Sequence, residues 1–230
     1  MSMTPLTHER AHALAASYAA RGWSVFPCVV GGKTPRTRSG FKAGTTSYDQ
    51  IRTWWGREPY NIGIWTGQSR LVVLDCDLKL PTKRWRVDEF SEYREVQDHD
   101  APIIRSGLTT WLDILAGRGL DEAPTYTVIT PSYGVHFYFE DDSEGRIHPA
   151  VEWRPGIDIR AAGSYVVAAG SETDVGSYDQ DLEQPWEPAP LPSWLRDVLV
   201  EETKPGSGLG PAEDDGSVYS IWAKKGRNLE

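Results

Sequence analysis

The sequence predicts an α+β fold, and three observations carry that prediction. Segments that read as strands outnumber those that read as helices. The strand-like segments are partly consecutive rather than each followed by a helix. In three of them polar and apolar residues alternate, the period of a pleated strand.

The elements follow in order. Thr7 to Arg21 reads as a helix, capped by Thr7, rich in Ala and ended by Gly22, with Leu14 and Tyr18 on an apolar face. Residues 23–27 read as a short strand and Gly31-Gly-Lys-Thr-Pro35 as a loop. Ser47-Tyr-Asp-Gln50 has the form of a capping box opening a helix through Trp54 and Trp55. Asn61–Trp65 and Leu71–Asp77 read as strands, the second so apolar that a central place is expected. Residues 84–96 and 107–117 read as helices. Residues 126–130, 135–139, 156–160 and 165–169 read as strands, and 193–201 as a last helix after a Pro-rich stretch.

Three of these segments converge on one chemistry. A strand rises ~3.3 Å per residue and its side chains alternate faces, so Asp75 and Asp77 point the same way, roughly 7 Å apart. Cys76 and Leu74 point the other way. On the next segment His136 and Tyr138 oppose Val135, Phe137 and Phe139. On the third, Asp158 and Arg160 oppose Ile157 and Ile159. If the strands share a sheet, one face carries three carboxylates, an imidazole and a guanidinium.

Such a set suits a divalent cation and a phosphate. Mg²⁺ prefers carboxylate oxygens, water and substrate phosphates. Two metals about 3.5–4 Å apart can activate an attacking hydroxyl and stabilise a leaving oxygen. Arg and His supply charge-assisted hydrogen bonds to phosphate. The chemistry expected of the set is two-metal nucleotidyl transfer.

Composition bounds the alternatives. The chain has 230 residues, 39% of them hydrophobic with ten Trp and ten Tyr, enough for a sizeable core. Its two cysteines exclude a disulfide framework and a four-cysteine zinc site, so no zinc is expected, and a reducing cytoplasm is. No membrane partner is expected, since the apolar runs are far too short to span a bilayer, and the N-terminus lacks a secretory pattern. Net charge is −9, which does not advertise nucleic-acid binding. Basic residues nevertheless cluster early, at Lys33, Arg36, Arg38 and Lys42, then at Lys79, Lys83, Arg84 and Arg86. A basic strip on an acidic protein can hold single-stranded nucleic acid, weakly and with strong salt dependence. Gly32-Lys33-Thr34 ends like a phosphate-binding P-loop, but the first Gly of that motif falls on Pro27. His8 and His12 stand four apart on the first helix, and a surface position suits them better than metal binding.

From about Ala13 to Trp194 the chain resembles the bifunctional primase-polymerase (prim-pol) domains of the archaeo-eukaryotic primase superfamily. The matching stretches are Tyr18-Ala-Ala-Arg-Gly-Trp23, Gly32-Lys-Thr-Pro35, Asn61-Ile-Gly-Ile64 with Thr66-Gly67, and Val72-Val-Leu-Asp-Cys-Asp77. Thr130-Pro-Ser-Tyr-Gly-Val-His-Phe-Tyr-Phe139 and Gly156-Ile-Asp-Ile-Arg160 with Tyr165-Val-Val167 complete them. Their order and spacing are specific where each alone is weak. The resemblance implies a two-subdomain catalytic core with an RRM-like sheet, and Mg²⁺ or Mn²⁺ as cofactor. It implies that Asp75, Asp77 and Asp158 bind metal and that His136 contacts the incoming nucleotide. Arg160, Gly134, Ser132 and Lys33 are the further nucleotide-binding candidates. It also implies nucleoside triphosphates and a single-stranded DNA template as partners, with a replicative helicase or a C-terminal accessory module beside them.

The chain departs from the family pattern at three points. Where relatives place Ser two residues before the histidine, this chain has Gly134, which offers only its backbone N–H. Tyr133 replaces a typical glycine, in position to crowd a sugar or stack on a base. The stretch between Asp77 and Thr125 is long and holds Arg84, Trp85, Arg86 and Trp111, either a grip on template bases or a helical cover on the core.

The expected organisation is a catalytic domain over 1–202, a Pro/Gly/acidic linker over 203–217 and a tail over 218–230. The expected function is template-directed DNA polymerase and primase in a phage, plasmid or mobile-element replication system. Primer extension is the firmer expectation, since de novo priming can need an additional helical module. Two rivals stand beside it: a metal-dependent nuclease using the same carboxylates, and a non-catalytic single-strand-binding or replication-initiation module.

Overall fold

The computed structural model describes residues 6–79, 82–86, 93–97, 105–121 and 123–205, and for those between 79 and 105 the backbone alone. Its main elements are α1 (His8–Ala20), β1 (Val25–Cys28), α2 (Tyr48–Trp55), β2 (Asn61–Trp65), β3 (Leu71–Cys76), α3 (Gly107–Ala116) and β4 (Thr127–Ile129). They continue as β5 (Val135–Glu140), β6 (Ala150–Arg154), β7 (Ile157–Arg160), β8 (Tyr165–Val167), β9 (Asp179–Gln180), β10 (Ala189–Pro190) and α4 (Ser193–Glu202). The α+β class is as expected. Among the described residues no helix is long and apolar enough to cross a membrane.

Two sheets organise the chain. The smaller runs β1-β2-β8 and is antiparallel. Pro27 lies within β1, tolerable because β1 is an edge strand and its lost donor breaks no inner ladder. The larger runs β6-β7-β3-β5-β4-β9, with β10 added in parallel on β5. The apolar run at 71–76 therefore takes the inner place its composition predicts.

Side-chain alternation divides the core between the two faces of the large sheet. Leu71, Val73, Val128 and Tyr138 pack on one side with Ala11, Ala15 and Tyr18 of α1, Ile51 and Trp55 of α2, and Ile62 and Ile64 of β2. Val72, Leu74, Cys76, Phe139, Ile157 and Ile159 pack on the other with α3 and α4 through Trp111, Leu115, Leu195 and Leu199. Burying a side chain of this size contributes about 1.5–3 kcal/mol. On α1 the buried line is Ala11, Ala15 and Tyr18, with Leu14 only flanking it.

Several expectations shift. Ser47 is the N-cap of α2, but its side chain makes no capping hydrogen bond, so the capping box is not formed. The helix expected over 84–96 is replaced by two antiparallel strands, Thr82–Arg86 and Tyr93–Gln97, whose register sets Arg84 opposite Glu95. Aromatic and β-branched residues at Trp85, Tyr93 and Val96 favour strands, and the charge-rich composition hides that period. The strand β6 and the short pairings near 172–180 and 189–190 were not expected at all. The linker and tail beyond residue 205 lie outside the described residues.

Candidate active site

The register of three neighbouring strands builds the site. Asp75 on β3 stands directly opposite Asp158 on β7 and, on its other side, opposite His136 on β5. One row across the sheet thus reads Asp158, Asp75, His136. The next row on the same face holds Arg160, Val73 and Tyr138. This face is the one that α1, α2 and the small sheet cover further along, so the polar row is closed in rather than solvated.

The contacts are short. Arg160 places one guanidinium nitrogen, Nη2, 3.2 Å from Asp75 Oδ2 and 3.0 Å from Asp158 Oδ2. Its Nε donates to Asp75 Oδ2 at 3.2 Å. His136 Nε2 lies 3.2 Å from Asp75 Oδ1. The side chains of Asp75, Asp158 and His136 are only 13%, 10% and 7% exposed. Burial acts most strongly on Asp75 and would raise its pKa, but His136, Arg160 and Lys33 outweigh it and hold the carboxyl well below its ordinary value. His136 Nδ1 is buried without a hydrogen-bond partner, so a protonated ring has one donor left to give.

Asp77 lies one residue past the end of β3, and backbone bonds fix it. Its N–H donates to Gly156 O at 2.8 Å, and its carbonyl accepts from Gly107 N at 2.9 Å. Both Asp75 and Asp77 help raise the pKa of the Tyr178 hydroxyl, after burial, so both carboxylates lie near that phenol. The Cys76 thiol, on the opposite face, is pushed up by burial first and then by the three aspartates.

Lys33 reaches the same place from the loop after β1. Its Nζ stands 5.5 Å from the centre of the Tyr178 ring, and that ring is 5.9 Å from the His136 ring. The loop is anchored by Tyr165, whose hydroxyl donates to Lys33 O at 3.2 Å, and by Asn61, whose Nδ2 donates to Gly32 O at 2.9 Å.

One candidate, Gly134, sits differently from expectation. The N–H of Gly134 is not open to a ligand, because it donates to Thr130 Oγ1 at 3.0 Å. Glycine is required there by space: a Cβ would lie 2.8 Å from Cys76 O, beside the acidic strand end. Ser132 is exposed in the turn before β5, and Tyr133 beside it is 74% exposed at a φ of +60°. Trp111 is no grip for bases. It is buried against Phe137, Phe139 and Trp194, which makes it core cover. The side chains of Arg84, Trp85 and Arg86 lie outside the described residues.

Sequence reasoning missed two contributors. Tyr178 belongs to no recognisable pattern, and only folding brings it beneath Lys33. Glu152 sits at a bulge in β6 with φ +50°, and its backbone N–H donates to Asp158 Oδ1 at 2.7 Å. A non-glycine residue at positive φ is uncommon and is not legible in residue type.

As the side chains stand, no three of His, Cys, Asp and Glu among the described residues are gathered to hold a metal ion. Arg160 lies between Asp75 and Asp158 and supplies positive charge to both. The donor set itself, carboxylates on adjacent strands with a third at the strand end, is of the type that hard divalent cations prefer.

No curated protein matches the chain. The family model for the N-terminal domain of bifunctional DNA primase/polymerases matches residues 15–194, a span that includes Lys33, the acidic row, His136 and Tyr178. That span is most of the chain, which therefore belongs to the Prim-Pol family, whose chemistry is primase/polymerase nucleotidyl transfer.

Proposed function

We propose that this domain extends a primer on a single-stranded DNA template, and also starts new strands, using nucleoside triphosphates with Mg²⁺ or Mn²⁺. The observation that supports it best is the buried row Asp158, Asp75, His136, closed by Arg160 and overlooked by Lys33. Asp75, Asp77 and Asp158 would hold the metals, which lower the pKa of a 3′-hydroxyl and neutralise a triphosphate.

The chain's own groups then divide the remaining work. His136 offers Nδ1 to a phosphate oxygen while Nε2 stays on Asp75. Lys33, held above Tyr178, places a second positive charge where a triphosphate tail would lie. Arg160 is the third cation and would turn to phosphate when its carboxylates are otherwise neutralised. Cover by the small sheet limits water, which strengthens each of these interactions. A role in replicating a phage, plasmid or mobile element inside the host cytoplasm, beside a helicase or accessory module, completes the reading.

The test is extension of a labelled primer with all four deoxynucleotides, run beside Asp75→Ala/Asp77→Ala and beside a primerless tube. Metal-dependent growth that the double variant loses supports the proposal, and primerless product supports priming. Strand degradation without nucleotides would support a nuclease instead. Strand binding unaffected by the double substitution, with no growth, would support a binding module.

A further inference from the structure

The loop that brings Lys33 to the site continues into an unusual stretch. From Arg10 to Tyr48 the chain has six basic residues, Arg10, Arg21, Lys33, Arg36, Arg38 and Lys42, and no Asp or Glu, although the whole protein carries −9. Four of the six lie between residues 33 and 42. Arg36, Arg38 and Lys42 are exposed. No described acidic side chain forms an ion pair with any of the four.

The backbone beneath these cations is held in place. Val29 N donates to Thr34 O at 2.9 Å and Arg36 N to Pro27 O at 2.8 Å. Phe41 is buried, with its ring 5.7 Å from those of Trp65 and Tyr165. Tyr165 also holds Lys33. A fixed loop with unneutralised cations costs stability through self-repulsion and gains nothing in folding. It has a use when a polyanion crosses it, since little order remains to be imposed on binding.

We propose that residues 33–42 form a platform for the sugar-phosphate backbone of a single nucleic-acid strand, leading it to the row at Asp75. This rests on the proposed nucleotidyl transfer and adds where the strand lies. Lys33, at the inner end, serves the reacting phosphates. Arg36, Arg38 and Lys42 serve the strand. Contacts of this kind fix register and orientation without reading bases.

The experiment is fluorescence anisotropy of a labelled oligo-thymidylate with the full chain in EDTA over a series of salt concentrations. The proteins are wild type, Arg36→Glu/Arg38→Glu, and Arg57→Glu as an exposed charge-reversal control outside the loop. The double reversal is expected to weaken binding by at least about tenfold and to lower the log-log salt slope by about 1.4, two phosphate contacts at ~0.7 each for a single strand. Arg57→Glu is expected to do far less, and melting temperatures to stay equal. Binding of a fluorescent nucleoside triphosphate is expected to be unchanged. The platform is overturned if the double reversal matches Arg57→Glu, if triphosphate binding falls as much as strand binding, or if polyglutamate competes as well as the oligonucleotide. Loss of the platform alone leaves wild-type extension intact, whereas a wild type that neither binds nor extends removes the proposed function as well.

Discussion

Asp75 and Asp158 stand directly opposite each other on adjacent antiparallel strands, and one nitrogen of Arg160 bridges them at 3.2 and 3.0 Å. Two carboxylates so placed repel unless a cation lies between them. Here the guanidinium supplies that cation, and under the proposed function a divalent ion would take over the same role.

Arg160→Gln therefore leaves the two carboxylates without their shared cation. Breaking a buried pair in this way costs roughly 3 kcal/mol. The variant is expected to melt lower than wild type in EDTA and to recover most of that loss in Mn²⁺, because an ion that binds only the folded state stabilises it by mass action. Mn²⁺ titration followed by electron paramagnetic resonance should show tighter binding to the variant. Equal melting in EDTA and unchanged Mn²⁺ affinity would refute the idea that Arg160 and the metal compete.

Gly107 and Gly156 hold Asp77 by contact between backbones. A Cβ on Gly107 would lie 2.1 Å from Gly156 O and 2.8 Å from Cys76 Cα, and neither atom belongs to a movable side chain. Gly107→Ala is expected to cost about 3 kcal/mol in urea unfolding, the upper end for overpacking. Primer extension should fall too, at a temperature where the variant is still folded, because the N-terminus of α3 is pushed off the acidic strand end. Full activity with unchanged stability would show that the close approach is not needed.

Tyr178 is a positioning residue for two neighbours, with ring contacts to His136 and Lys33 at 5.9 and 5.5 Å. Tyr178→Leu keeps the apolar bulk but removes the ring face under the ammonium, an interaction worth about 0.5–2 kcal/mol. The expected result is a KM for nucleotide raised about tenfold with a smaller change in kcat. Tyr178→Phe should restore near-wild-type KM, and a Phe variant as impaired as Leu would point instead to the hydroxyl.

Much of this site was legible before folding. Alternation alone put Asp75, His136, Asp158 and Arg160 on matching sides of their strands, since the side-chain period of two is a local property. Which strands are neighbours, and that Asp75 meets both Asp158 and His136 in one row, depends on pairing that no local pattern encodes. Residues 84–96 read as a helix because charged residues interrupt the alternation of the strands that form there. Gly134 kept its place in the motif while its N–H proved to be committed to Thr130. Tyr178 and Glu152 were invisible for separate reasons, the first a lone aromatic in a turn-rich segment, the second a backbone donor at a bulge.

The phenols packed under the small sheet give a pH dependence with a definite sign. Tyr18 donates to Ala169 O at 2.9 Å, and the Tyr126 hydroxyl lies 3.3 Å from that of Tyr18. Burial, above all, raises the pKa of both, and of Tyr138. An unfolded tyrosine ionises near ~10, so the stability these groups contribute is complete below that pH and is lost as pH rises through the higher folded values. Urea unfolding between neutral pH and about pH 11 should show a falling alkaline limb, which Tyr18→Phe/Tyr126→Phe flattens. Tyr138 differs, because its hydroxyl is buried without a partner. Tyr138→Phe removes an unsatisfied polar atom and is expected to stabilise the fold at neutral pH by about 1 kcal/mol. A destabilised Tyr138→Phe variant would mean that the hydroxyl is satisfied in solution, with bound water the first candidate.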